Sequence, residues 1–232
     1  MGLAPVLPAM KRILALATIL LVPAVLVAAS FEGKVNFKMS TPKDQPQEMH
    51  YSIKGDKVRI QMPGQKGMGG MILDTAKKEM TTIMDEQKMY MVMAIPDVAG
   101  VKAVKDEDVK FEKTGESEKI LGYTADKYIS TYKNEKTEMW LAEGLGTFMA
   151  MSSGSGMGKK AASKSWERAL AGKELFPLRV VGLDKSGKET FRMETTAINK
   201  QSLPDSLFVP PADYQKLDMG GMMKGLIPGL RR

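Results

Sequence analysis

The sequence contains no cysteine and a single histidine, His50. Without cysteine there is no disulfide framework, no thiolate nucleophile and no lipid attachment through a lipobox cysteine, so stability must come from packing. One histidine without cysteine also fails the usual zinc ligand sets. Aromatic residues make up only 6% of the chain. The glycine-rich stretch 64–70, "GQKGMGG", is not followed by GK[ST] or by a helix signal, so it is not a phosphate-cradling loop. No repeat at a solenoid period is present, and nothing indicates a second domain.

Long apolar runs are missing as well. The longest, "ILALATILLVPAVLV" (13–27), is broken by Pro23, preceded by Lys11 and Arg12, and followed by "AAS". That is shorter than a comfortable membrane span and has the three regions of a cleavable signal peptide. Residues 1–30 are therefore read as a leader cut after Ala29 or Ser30, which places a protein without a lipid anchor in the periplasm of a two-membrane bacterium. What remains is one domain over 31–217 and a Gly/Met/basic tail over 218–232, "DMGGMMKGLIPGLRR", whose composition opposes a helix. The net charge is +7. Lysines alternate with acids, as in "KFEKTGESEK", which is the pattern of a solvated sheet face rather than of a nucleic-acid surface. Weak contact with an anionic membrane surface is compatible with the basic balance.

Period-two alternation is abundant, and it predicts half-buried strands. In "FEGKVNFKM", Phe31, Gly33, Val35, Phe37 and Met39 share one face. In "EMHYSI" and "KVRIQM", Met49, Tyr51, Ile53, Val58, Ile60 and Met62 point inward around a "KGD" turn. "MTTIMDEQKMYMVM" (80–93) predicts a hairpin with Met80 and Met84 on one strand and Met89, Met91 and Met93 on the next, two methionine rows side by side. Further strands follow at "KFEKTGESEKILG", "YTADKYISTY", "TEMWLA" and "FPLRVV". The next strand, "ETFRMETTAI", has Phe191, Met193, Thr195 and Ala197 as inward candidates. Residues 94–110 read as a connector, and "GLGTFMAMSSGSGMGKKAA" as flexible. "SKSWERALAGK" is the one helix, with Trp166 and Leu170 in its apolar stripe. The expected fold is mainly β: a single curved antiparallel sheet or half-barrel of about ten strands, with one helix on or in the concave side.

The strings "EKILGYTADKYIS", "TEMWLAEGLG", "FPLRVV" and "PDSLFVPPADYQKL" resemble an uncharacterised family of bacterial exported proteins. In overall pattern the chain resembles the outer-membrane lipoprotein carrier and receptor fold of LolA and LolB and the related mycobacterial lipid carrier LppX. That resemblance implies an incomplete barrel around an apolar cavity plugged by helices. This sequence supplies one helix where the carriers have several.

Enzymatic readings lack residues. His50 alternates onto the polar face of its strand beside Glu48 and Ser52, where no triad assembles. The 20 methionines leave three readings open. Thioethers suit Cu(I), with Met68 and Met71, Met149 and Met151, and Met219, Met222 and Met223 as candidate groups. Methionine can also fill an irregular core, which would make the protein a structural or interaction component of the envelope. Finally, flexible thioethers suit apolar surfaces that must adapt to several ligands, whereas a core that needs only stability is better specified by Leu, Ile and Val. The leading expectation is a non-enzymatic, monomeric binding protein that holds a lipid or lipoprotein acyl chain. Its candidate cavity residues are Met80, Met84, Met89, Met91, Met93, Phe37, Tyr51, Trp140, Phe191 and Met193. No cofactor and no nucleic-acid partner is called for.

Overall fold

A computed structural model of the chain describes residues 2, 31–64, 67, 69–95, 109–133, 135–149, 165–170 and 172–218. The leader apart from Gly2, most of the connector, and the tail apart from Asp218 lie outside the described residues. Among the described residues no helix is long and apolar enough to cross a membrane.

The first six strands form a meander: β1 (Glu32–Ser40), β2 (Gln47–Lys54), β3 (Lys57–Gln61), β4 (Gly70–Asp74), β5 (Glu79–Met84) and β6 (Met89–Ala94). A second meander follows: β7 (Val109–Ile120), β8 (Tyr123–Tyr132), β9 (Glu135–Ala142), β10 (Phe176–Leu183) and β11 (Glu189–Lys200). The two join where β11 pairs antiparallel with β1. A two-residue strand, β12 (Gln215–Lys216), adds parallel to β6. The result is one open curved sheet in the order β12-β6-β5-β4-β3-β2-β1-β11-β10-β9-β8-β7. The count is twelve rather than about ten, in part because the closing segment donates its own strand.

The alternation read from the sequence sets the inner face. Val35, Phe37, Met49, Tyr51, Ile53, Val58 and Ile60 are all buried in one core cluster with Met71, Leu73, Met80, Met139, Leu178, Val180 and Met193. One expectation fails at a β-bulge. The β1–β11 register slips between Asn36 and Phe37, so that Asn36 faces Ala197 and Val35 faces Ile198. The extra residue reverses the side-chain parity. Ile198, not Ala197, packs on the core.

The helix expectation is also corrected. Among the described residues the α-helix covers Ser165–Leu170 alone, six residues here termed α1, about a turn and a half and too short to lid the concave side. Trp166 and Leu170 are nevertheless buried in the core. The opening of the segment read as flexible does structural work beside them. Leu145 and Phe148, in the connector after β9, are buried on the inner face. Together these residues fill the middle of the concavity.

The outer face is divided. Over β3–β6 it is covered by the closing segment 201–218. Ile72 and Ile83 pack there with Leu203 and Phe208, the latter at the end of a 3-10 turn (Asp205–Phe208), and with Leu207 and Tyr214. This accounts for β4 being buried on both faces. Polar contacts fix the strap. Lys54 Nζ donates to the Leu203 carbonyl at 2.7 Å and pairs with Asp205 at 2.9 Å. Arg59 donates from a terminal nitrogen to the Leu207 carbonyl at 2.9 Å. The Leu203 N–H donates to Glu32 at 2.6 Å, and the Tyr214 hydroxyl donates to Asp85 at 2.9 Å.

Gly70 begins β4 at φ +126°, a conformation L side chains rarely adopt, and a Cβ there would clash with the Ile60 carbonyl. The last glycine of "GQKGMGG" thus lets β3 and β4 approach.

Candidate functional site

The β5–β6 hairpin brings the two methionine rows into register: Met80 faces Met93, Thr82 faces Met91, and Met84 faces Met89. Their common face is the inner one, because Met80 sits in the core cluster. Along this face burial declines toward the turn at 85–88. Met80 is only 1% exposed. Met93 is half-buried against the core, whereas Met84, Met89 and Met91 are half-buried and run on beyond the cluster. The four form a thioether strip at one end of the concavity.

The remaining sequence candidates lie elsewhere. Phe37 and Tyr51 are the floor of an aromatic block. The Phe37 ring stacks on Phe176 at 5.9 Å, Tyr51 stacks on Phe148 at 5.6 Å, and Phe148 stacks on Trp166 at 5.8 Å. A latch holds the block shut: the Met149 N–H donates to the Tyr51 hydroxyl at 2.8 Å, and that hydroxyl donates to the Met149 carbonyl at 3.3 Å. Complete burial pushes the Tyr51 phenol well above its ordinary pKa, so it stays neutral. Met193 is buried in the same core cluster, opposite Met39 and Val180, and Phe191 is half-buried against it. Trp140 stands apart from these. It alternates with buried Met139 and Leu141, and its ring lies 5.3 Å from Lys127 Nζ and 4.9 Å from the Arg179 guanidinium. It therefore belongs to the charged outer face and does not line the concavity with Phe37. Sequence reasoning missed Leu145 and Phe148 as fill of that concavity, whereas Trp166 lies on the apolar stripe of the helix expected there. The apolar spacing in "GLGTF" was the available signal, obscured by its glycines.

The charged face is itself ordered. One cross-strand row reads Glu48, Lys38, Glu194, Arg179, Trp140 and Lys127, from β2 to β8. Arg179 pairs with Glu118 at 2.9 Å and Glu194 at 3.4 Å, and Arg192 pairs with Glu189 at 2.5 Å and Glu194 at 3.0 Å. His50 sits on this outer side, 3.7 Å from Glu48. Among the described residues no group of three His, Cys, Asp or Glu side chains is placed to hold a metal. Of the copper candidates, Met71 is buried in the core and Met149 backs the latch, while Met68, Met151, Met219, Met222 and Met223 lie outside the described residues. Two surface depressions, of about 460 Å³ beside Tyr128, Glu143 and Lys173 and about 290 Å³ beside Lys54, Asp74 and Asp205, are edged by charge and do not touch the methionine strip.

The family model described as Domain of unknown function (DUF4412) matches residues 31–214. The chain belongs to this family. No curated protein matches it. Solved structures similar to this DUF4412 chain include PNGF-II, at 14% identity over 86% of this chain and 33% of that one, TM-score 0.46. This chain thus spans a third of that protein's length. Also similar are the Pseudomonas aeruginosa MucA/MucB complex (12% identity, 81% of this chain and 58% of that one, TM-score 0.45) and a LolA superfamily protein from Nitrosomonas europaea (12%, 79% and 91%, TM-score 0.32).

Proposed function

We propose that this DUF4412 protein is a non-enzymatic, exported binding protein that holds an acyl-bearing or similar apolar ligand against the methionine strip of β5 and β6. The observation that carries the reading is the change in burial along one face: Met80 is sealed in the core while Met84, Met89 and Met91 continue past it, only partly buried. Each methylene laid on such a surface contributes about 0.8 kcal/mol, and the unbranched thioethers adapt to its shape. Met80 serves this site as the buried end of the strip, and Phe37, Tyr51 and Met193 hold the packed core away from it. In this reading the chain works in the periplasm after loss of residues 1–30, with 31–217 as the binding domain and 218–232 as a basic tail that favours anionic membrane surfaces.

A second reading, a structural or interaction protein of the envelope, is favoured by the aromatic block, which already fills the middle of the concavity. Native mass spectrometry of the mature protein, taken gently from its own periplasm, separates the two. A bound mass of lipid size that is lost in the Met89→Val, Met91→Val, Met93→Val variant supports the strip as the site. Bare protein supports the structural reading, and a copper-sized increment replaces both with a thioether metal site.

A further inference from the structure

With no cysteine in the chain, the thioethers are the side chains most readily attacked by two-electron oxidants such as hydrogen peroxide, and burial decides which are reached. The described methionines fall into groups. Met49, Met71, Met80, Met139 and Met193 are each 5% exposed or less. Met39, Met62 and Met149 are half-buried on separate segments. Met84, Met89, Met91 and Met93 are half-buried too, but they lie together on two paired strands, with Met84 directly opposite Met89. Only this last set can change the character of a whole surface at once.

We infer that Met84, Met89, Met91 and Met93 form an oxidant-modified site, converted to sulfoxides while the core methionines stay reduced, and that the conversion switches the β5–β6 surface from apolar to polar. In each step the thioether sulfur takes one oxygen from peroxide and water leaves. The sulfur is oxidised and the peroxide reduced. Reversal needs a methionine sulfoxide reductase and a dithiol, which returns the oxygen as water and ends as a disulfide. The hairpin tolerates the change because its backbone pairing does not involve the sulfurs, and because the oxidised atoms lie at or beyond the edge of the core rather than within it. The consequence for a bound ligand rests on the proposed apolar binding function, whereas the order of oxidation does not.

The test is a peroxide titration of the mature full-length protein, read by tryptic peptide mapping and by 1-anilinonaphthalene-8-sulfonate fluorescence. Cleavage after Lys78 and Lys88 places Met80 and Met84 on one peptide, "EMTTIMDEQK", so the fully buried residue is an internal control for its partly buried neighbour. The expected result is that Met84, Met89, Met91 and Met93 oxidise at least about tenfold faster than the five core methionines. Dye binding should fall several-fold in parallel and return on treatment with reductase and dithiothreitol. A Met84→Leu, Met89→Leu, Met91→Leu, Met93→Leu variant should keep its dye binding through the same titration. Equal rates for Met80 and Met84, or a strip that stays reduced while the core oxidises, would overturn the site. Dye binding unchanged after full strip oxidation would overturn the switch. A protein that carries no lipid in native mass spectrometry yet oxidises in the expected order keeps the modification site and loses the ligand reading, so the two fail separately.

Discussion

In the first meander, β1–β6, the outer face over β3–β6 is closed by the strap 201–218 and the inner face is left partly open at the methionine strip. In the second, β7–β11, the inner face is closed by Leu145, Phe148, Trp166 and Leu170, and the outer face is left bare and charged. Each half of the same sheet has one face covered by chain from outside its own strands and leaves at least part of the other to solvent. The difference lies in what is presented: partly buried thioethers on one side, and a self-paired ladder of Lys, Arg and Glu on the other. A self-paired charged face needs no partner, since its ions already have one. A methionine strip has no such internal satisfaction, and this asymmetry is why binding is assigned to the β5–β6 end.

The comparison breaks most readily in the aromatic block. Phe176 is fully buried between Phe37, Tyr51 and Phe148, so Phe176→Ala should cost about 3–5 kcal/mol in urea unfolding. Met91→Leu, at the other end of the same face, should cost under about 1.5 kcal/mol. Equal losses would mean that the strip is ordinary core. Removing the strap's anchor should cost less than the block: Phe208→Ala gives up about 1.5–3 kcal/mol of burial. It should also expose Ile72 and Ile83, read as faster amide exchange in β4 and β5 with β8 and β9 unchanged. Next comes the latch. Tyr51→Phe leaves the Met149 N–H without its hydroxyl acceptor, at a cost of about 1–3 kcal/mol, and should raise proteolytic nicking near Met149 before the global unfolding midpoint is reached.

Much of this architecture is legible in the sequence, and the failures have physical causes. The inward sets of β1, β2 and β3 follow from period two alone. So does the pairing of the methionine rows, because the turn "DEQK" fixes the register of Met84 against Met89. Ala197 misleads because a bulge is one extra residue and leaves no compositional trace. Trp140 misleads because its size suggests core, while strict alternation with Met139 and Leu141 assigns it to the other face. The strap misleads in a different way: Leu203, Phe208 and Tyr214 have no regular period, so nothing in "PDSLFVPPADYQKL" says that it crosses the back of β3–β6. The concave fill is hidden likewise, since Leu145 and Phe148 are placed by glycine turns rather than by a helix.

The smallest expected effect tests the charged face. Glu138 is held below the usual carboxylate range, first by its hydrogen bond from Lys136 at 2.8 Å and also by Lys127. Glu189 is lowered in the same way by Arg192. A carboxylate whose folded pKa is depressed contributes stability that is fully present above its unfolded value, near pH 4.3 for Glu, and that is lost as pH falls through the folded value. Stability should therefore be flat from neutral pH down to about 5 and then decline. Glu138→Gln should lower stability at pH 7 by no more than about 1 kcal/mol, given that these pairs are partly solvated, and should make the acid decline shallower. Raising the ionic strength should shrink the difference between wild type and variant, because screened surface pairs lose their attraction first. The same salt series should leave the Phe176→Ala deficit almost unchanged. If salt or acid moved the block and the ladder equally, the two faces of the sheet would not be held by different forces, and the assignment of the ladder to a self-satisfied surface would fail.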